Sequence, residues 1–250
     1  MTTRGLVRLS TVVLPVVLFT LLSSSAAMAC VAPTNDAIRA GLAKDLSKYP
    51  GVRVAVDDCV VTLSGTTERL PDKLDATKKA KHYGAVVSVV NNIAVAGPQV
   101  ADSEIAAKVA KKLLYDRTFQ GNVFDWYTVA SNNGTVTVSG YAHTPMAKDS
   151  ALALVEYATG VKDIVDKIEV LPLSTFDDSI RIAAARRIYG GTSFIGSNDP
   201  AHPIRIIVEN GHVTLEGVVN SQVDRTRAFM AVSGLGGVFS VKNDLVVKRG

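Results

Sequence analysis

Three stretches of this 250-residue chain alternate apolar and polar positions in the same way: Cys59-Val-Val-Thr-Leu-Ser-Gly65, Gly134-Thr-Val-Thr-Val-Ser-Gly140 and Gly211-His-Val-Thr-Leu-Glu-Gly217. A period of two predicts a strand with one buried face. A second alternating run and a polar turn precede each stretch: Val52 to Val56 with Asp57-Asp58, Val123 to Ala130 with Ser131-Asn132-Asn133, and Ile204 to Val208 with Glu209-Asn210-Gly211. The chain therefore predicts three hairpins. Apolar markers follow each hairpin: Val86, Val89, Val90 and Ile93, then Val161, Ile164, Val165 and Ile168, then Val238, Val241 and Leu245. The spacing from closing Gly to last marker is 28 every time (65 to 93, 140 to 168, 217 to 245). Such identity of spacing identifies a triplicated module.

Helical periodicity supplies the remaining elements. Ile38, Leu42 and Leu46 stand at i, i+4 and i+8, and Ile105, Val109, Leu113 and Leu114 make the second such stripe. Ile180, Ala183, Ala184 and Ile188 make the third. Each stripe follows residues suited to capping a helix: Thr34, Asn35 and Asp36, then Asp102 and Ser103, then Asp177, Asp178 and Ser179. A second helix is expected from Pro71, Pro145 and Ser221. Its inward face is expected at Leu74, Thr77 and Ala80, at Leu152, Leu154, Val155 and Ala158, and at Val223, Ala228, Met230 and Ala231. The order helix-strand-strand-helix-strand makes the chain α+β, with two helices on a three-stranded mixed sheet in each of three tandem modules, residues 35–95, 102–170 and 177–247. Units this small bury only about 60% of their unfolded surface, so they are expected to pack on one another or to sit as closely spaced beads. The stretch from first helix to closing Gly varies, from Ile38 to Gly65 (27), Ile105 to Gly140 (35) and Ile180 to Gly217 (37), a constant scaffold with one variable loop.

The run from Val123 to Ala130 leaves its buried face open, because Phe124 and Trp126 compete with Tyr127 and Val129. Trp126, the only tryptophan, is core in one reading and a contact for a partner or a membrane interface in the other.

Residues 1–29 have the three-part layout of a secretory signal peptide: Arg4 and Arg8, an apolar run from Val12 to Leu22, and Ala27-Met28-Ala29 as cleavage site. The run is shorter than the roughly 20 residues of a membrane span. An exported protein of the bacterial periplasm is expected, soluble or tethered by an N-terminal lipid. Without the leader, 25 basic and 23 acidic residues remain, a net charge of +2. That is no footprint for nucleic acid. Lys78, Lys79 and Lys81, with Lys73 and Asp72 and Asp75 among them, form the densest charge cluster. It reads as a solvated helix face, or as a surface for anionic phospholipid head groups.

The two cysteines, Cys30 and Cys59, have two readings. Cys30 would open the mature chain, where a bacterial lipoprotein carries its acylated cysteine, although Ala27 stands where such signals usually have Leu. Otherwise Cys30 is free to pair with Cys59 in an oxidising compartment, closing a loop that would stabilise the first module by roughly 3–4 kcal/mol.

The element order, the V-T-[LV]-x-G strand and the closing G-V-x-x-V-x-N/D-x-[IL] pattern resemble the BON domain, named from bacterial osmotically inducible periplasmic and nodulation proteins. The closest copies are Gly211 to Gly217 with Gly237-Val-Phe-Ser-Val-Lys-Asn243-Asp-Leu245, and Gly134 to Gly140 with Gly160-Val-Lys-Asp-Ile164. In the first copy Cys59 replaces the turn Gly and Ala85 the Gly before the closing strand. The resemblance implies a non-enzymatic envelope protein that contacts membrane phospholipid or envelope proteins, in osmotic or envelope stress. It equally accommodates a periplasmic chaperone or an adaptor in an outer-membrane assembly. No catalytic or cofactor motif competes with it. His82, His143, His202 and His212 have no metal-ligand spacing, and there is no nucleophile elbow, P-loop or dinucleotide fingerprint. No enzyme activity, cofactor or metal is expected.

Overall fold

The computed structural model describes residues 34–115, 123–190 and 204–248. The expected signal peptide, Cys30 and His202 lie outside them. The first module runs α1 (Asn35–Asp45), β1 (Val52–Asp57), β2 (Val60–Thr67), α2 (Leu70–Lys81) and β3 (Ser88–Val95). The second runs α3 (Asp102–Leu114), β4 (Trp126–Asn132), β5 (Thr135–Ala142), α4 (Pro145–Glu156) and β6 (Asp163–Val170). The third has α5 (Thr175–Tyr189), β7 (Arg205–Glu209), β8 (His212–Glu216), β9 (Val218–Val219), α6 (Gln222–Ser233), β10 (Ser240–Asn243) and β11 (Val246–Val247). All three are α+β with the expected order.

In every module the middle strand pairs antiparallel with the first and parallel with the last: β1-β2-β3, β4-β5-β6 and β7-β8-β10. A tight turn joins the antiparallel pair, and the parallel pair needs the helical crossover that α2, α4 and α6 supply. In the third module the ladder breaks after β8 and resumes as the short parallel pair β9–β11.

The opening helices bury the predicted stripes, with Ile38, Leu42 and Leu46, then Ile105, Val109 and Leu113, then Ile180, Ala184 and Ile188 all in the cores. Against them lie the inward residues of the middle strands, Val61 and Leu63, Val136 and Val138, Val213 and Leu215. Ile93, Ile168 and Leu245 close the three cores. The N/D of the closing pattern has a structural purpose. Asn91, Asp166 and Asn243 each accept, on side-chain Oδ1, the backbone N–H of Ile93, Ile168 or Leu245, at 3.0, 2.9 and 3.3 Å.

The second helices follow expectation in part: Ala80, Val155, Ala158 and Ala228 are buried as expected, and Ala76, Ala147, Ala151 and Val232 join them. Small residues occupy the line of closest approach to the sheet, so the large ones fall on the flanks. Met230 is 69% exposed and Val223 is also exposed, so neither is core. Leu152 and Leu154 are only partly buried. Leu70 and Leu74 of α2 leave their own module and pack with the core of the second one, together with Val95 and Val100. Val123 and Phe124 likewise pack against the third core. The modules are therefore packed on one another.

That exchange settles the face of β4. Tyr127 and Val129 point into the second core, Phe124 precedes the strand and serves the third core, and Trp126 lies half-buried opposite Tyr141 in the ladder. Beside this junction the ring Nδ1 of His143 is 2.7 Å from the buried Asp125 carboxylate. Arg205 is buried next to them, and burial holds its guanidinium below the ordinary value against the opposing pull of Tyr189 and Asp125.

Candidate functional site

One corner recurs in each module and joins three distant pieces of chain. It starts at the two-residue hairpin turn, where both residues have positive φ: Asp58 and Cys59 (44° and 61°), Asn133 and Gly134 (52° and 79°), Asn210 and Gly211 (50° and 77°). This is the type I′ geometry whose twist matches the strands it joins. The opening helix then reaches the turn from its first turn or cap region. Asn35 Oδ1 accepts the Cys59 N–H at 3.3 Å. The Asp102 carboxylate accepts from the Ser131 hydroxyl at 2.6 Å and from the N–H groups of Asn133 and Gly134 at 2.7 and 2.9 Å. Asp177 accepts the N–H groups of Asn210 and Gly211 at 3.0 and 2.8 Å.

The third piece is the residue that leads into the last strand. The N–H groups of Val87, Lys162 and Phe239 donate to the carbonyls of Cys59, Gly134 and Gly211 at 3.0, 2.8 and 2.9 Å. Each of these three residues is held by its main chain. Val87 is 72% exposed and Phe239 is 71% exposed. In the third module the tip is enlarged: Phe176 of α5, 48% exposed, lies 6.3 Å from the Phe239 ring centroid, and the His212 ring lies 6.0 Å from it. His212 Nδ1 in turn sits 2.7 Å from the Ser240 hydroxyl. In the second module the same position is a cation, Lys162, whose stem passes over Gly134.

The residues singled out from sequence are dispersed relative to this corner. Lys78 and Lys81 are exposed on α2, whereas Lys79 is engaged inside its own module. Its ammonium donates to the Asp45 carbonyl at 3.3 Å, stands 3.6 Å from Asp75 and lies 5.7 Å over the Tyr49 ring. The Tyr49 hydroxyl donates to Asp75, and that bond, followed by Lys48, holds the Asp75 carboxyl below its ordinary value. Trp126 is far along the hairpin from the turn. Cys59 is at the corner itself, buried, and is not a free thiol. No three His, Cys, Asp or Glu side chains converge among the described residues. Phe176, Phe239 and Val87 were not expected as contacts, because an exposed apolar residue leaves no periodic signal. Only alignment of the three copies, which sets Val87, Lys162 and Phe239 at one position, reveals them.

The charge on Asp102 has a measurable consequence. Its bond from Ser131, then those from Gly134 and Asn133, holds the carboxyl below the ordinary carboxylate value. A depressed folded-state value contributes stability that is fully present above the unfolded value, near pH 4, and is lost as pH falls through the folded one. Asp102→Asn should therefore make the urea midpoint of the second module less dependent on pH below about 4. An unchanged acid profile would show that the turn does not depend on the charge.

Comparison with known proteins bears on most of the chain. The chain is 28% identical over 154 residues to osmotically-inducible protein Y of Escherichia coli (strain K12), covering 59% of this chain and 73% of that protein. Among solved structures it is similar to CdsD, a structural protein of the type III secretion system of Chlamydia trachomatis. The identity is 19%, with 84% of this chain and 91% of that one covered and a TM-score of 0.25. The periplasmic domain of the S. typhimurium inner membrane protein PrgH matches at 15% identity over 83% of this chain and all of that one, with a TM-score of 0.18. The BON domain model matches residues 32–97, 101–172 and 192–249. The third match leaves out α5, which nonetheless places Asp177 on its hairpin turn as Asn35 and Asp102 are placed on theirs. With three matched segments that together cover more than half of its length, the chain belongs to the BON domain family.

Proposed function

We propose that this is an exported, non-catalytic envelope protein that contacts membrane phospholipid through the projecting corners of its modules, in response to osmotic or envelope stress. The carrying observation is the Phe176–Phe239 pair, aromatic rings 48% and 71% exposed from the start of α5 and the residue before β10, beside a turn tied down by backbone hydrogen bonds. Aromatic side chains presented this way suit the boundary between head groups and acyl chains. The relative in E. coli is named for osmotic induction, and a signal peptide at residues 1–29 would carry the chain out of the cytoplasm. The state of Cys59 supports a disulfide to Cys30 over an acylated Cys30, and the intact mass before and after reduction separates the two.

Vesicle co-sedimentation tests the reading. The mature chain should bind phosphatidylglycerol vesicles, and Phe176→Ser with Phe239→Ser should weaken binding at least tenfold, since each ring contributes about 1.5–3 kcal/mol when buried. Both side chains are already exposed, so the melting temperature should hold. If the native chain ignores vesicles of every head-group type, the lipid reading is abandoned. Loss of client protection in an aggregation assay by the same double variant would then move the function to a chaperone, and co-purification of one fixed partner to an adaptor.

A further inference from the structure

The first two modules flank a cavity of about 460 Å³ between the start of α2, the linker after β3 and the loop after α4. Its volume is that of a small-molecule site. Leu70, Val95, Pro98 and Val161 give it an apolar lining. Four charged side chains also line it, Glu68, Arg69, Glu156 and Lys162. Arg69 is already satisfied by two bonds of 3.2 Å to Asp72. Lys162 acts on the Asp102 carboxylate. Glu68 is exposed to solvent.

Glu156 differs from these. It is half-buried at the last position of α4, and among the described residues no hydrogen bond or ion pair reaches its carboxylate. Burial alone acts on it, and raises its pKa. Its neighbour Tyr157 lines the same cavity with an exposed ring. The basic residues Lys108, Lys111 and Lys112 line a separate depression beyond Ala158 and Thr159.

A half-buried carboxylate without a partner is stabilised by a cation brought to it, more strongly than an exposed one would be, and an aromatic ring favours the same sign of charge. The apolar lining calls for a hydrocarbon arm. We propose that this cavity binds an organic ammonium carrying a short alkyl chain, with the nitrogen at Glu156 and the chain along Leu70, Val95 and Val161. A lysine side chain of an extended peptide and a free alkylamine share this chemistry. The site uses neither Phe176 nor Phe239, so it stands or falls separately from the lipid contact.

The test is amide NMR on the full mature chain, titrated with n-butylammonium, end-blocked Ala-Lys-Ala, n-butyrate and 1-butanol. Butylammonium and the peptide should shift the amides of Gly97 and Gly160, and Glu156→Gln should weaken both by about tenfold or more, as for loss of a charge-assisted bond. The weak response to butanol should be the same in both proteins. Tighter binding of butylammonium identifies a free amine as the ligand class, and tighter binding of the peptide identifies a lysine side chain. The proposal is overturned if neither cation shifts these amides up to about 10 mM, a range that captures even weak sites. It is also overturned if butyrate binds as well as butylammonium, a comparison made on the native chain alone, or if the folded Glu156→Gln variant binds unchanged.

Discussion

Asp177→Ala should unfold the third module in denaturant well before the other two, at a cost of about 3–5 kcal/mol, since a buried donor left without its partner costs about 1–3 kcal/mol and more where the partner is charged. The Asp177 side chain is fully buried, at 0% exposure, and holds the N–H groups of both turn residues, Asn210 and Gly211. Alanine leaves both donors without that acceptor, and the bond from Gly211 is a buried one. The loss spreads, because the Gly211 carbonyl holds Phe239 and the same turn sets the register of β7 on β8. Asp177→Asn should recover part of the stability: it keeps one acceptor oxygen, the arrangement that Asn35 uses natively on Cys59. Urea unfolding followed by hydrogen exchange at Gly211 distinguishes the cases. An alanine variant with the native midpoint would mean that the type I′ turn holds itself.

Gly140→Ala should be nearly as damaging, for a steric reason. Gly140 has φ of +126°, and a Cβ placed there would lie 2.0 Å from the Trp126 carbonyl oxygen and 2.9 Å from its carbon. Both atoms are backbone, so relief requires β4 to move away from β5 at Tyr127. A cost of about 3 kcal/mol or more is expected. Gly65 meets the Gly51 carbonyl oxygen at the same 2.0 Å, so the G of the V-T-x-x-G strand marks where the first strand crosses closest. Trp126, as the only tryptophan, reports the change directly in its fluorescence. Gly234→Ala is the control: nothing lies within 4 Å of its added Cβ, and stability should stay within about 0.5 kcal/mol. If Gly140→Ala matched that control, the strand-crossing contact would be softer than its geometry implies.

The parts of the fold that follow a period were readable in the residues, and those set by close approach were not. Ile105, Val109 and Leu113 stand out because three large apolar side chains recur on one face. On α4 Val155 is buried as expected, but Ala151 does the same work and its small size hides it behind Leu152 and Leu154, which look more hydrophobic and sit on the flanks. On α6 this misdirects expectation to Val223 and Met230, both exposed. Leu74 was rightly apolar, yet its partner is the neighbouring module, which no periodicity within one helix encodes. The corner was legible in fragments: the Asn-Gly turns, the closing G-V, and Asp102 and Asp177, which were expected as helix caps but bond the hairpin turns while Ala101 and Ser174 stand at the N-cap positions. Their convergence depends on tertiary hydrogen bonds between residues about 30 apart in the chain. Glu156 gave no signal at all, since its distinction is the partner it lacks.

The corner also bears on how the three copies diverge. The residue at the tip donates its N–H to the hairpin turn in all three copies, a bond that does not depend on which side chain it carries. Val87, Lys162 and Phe239 show the outcome: apolar, cationic and aromatic groups on one backbone frame. Substitution there leaves that backbone bond in place, so drift and selection can explore the position in one copy while the other two keep their present chemistry. Duplication of the module thus supplied three independently variable fingertips on a single inherited hand.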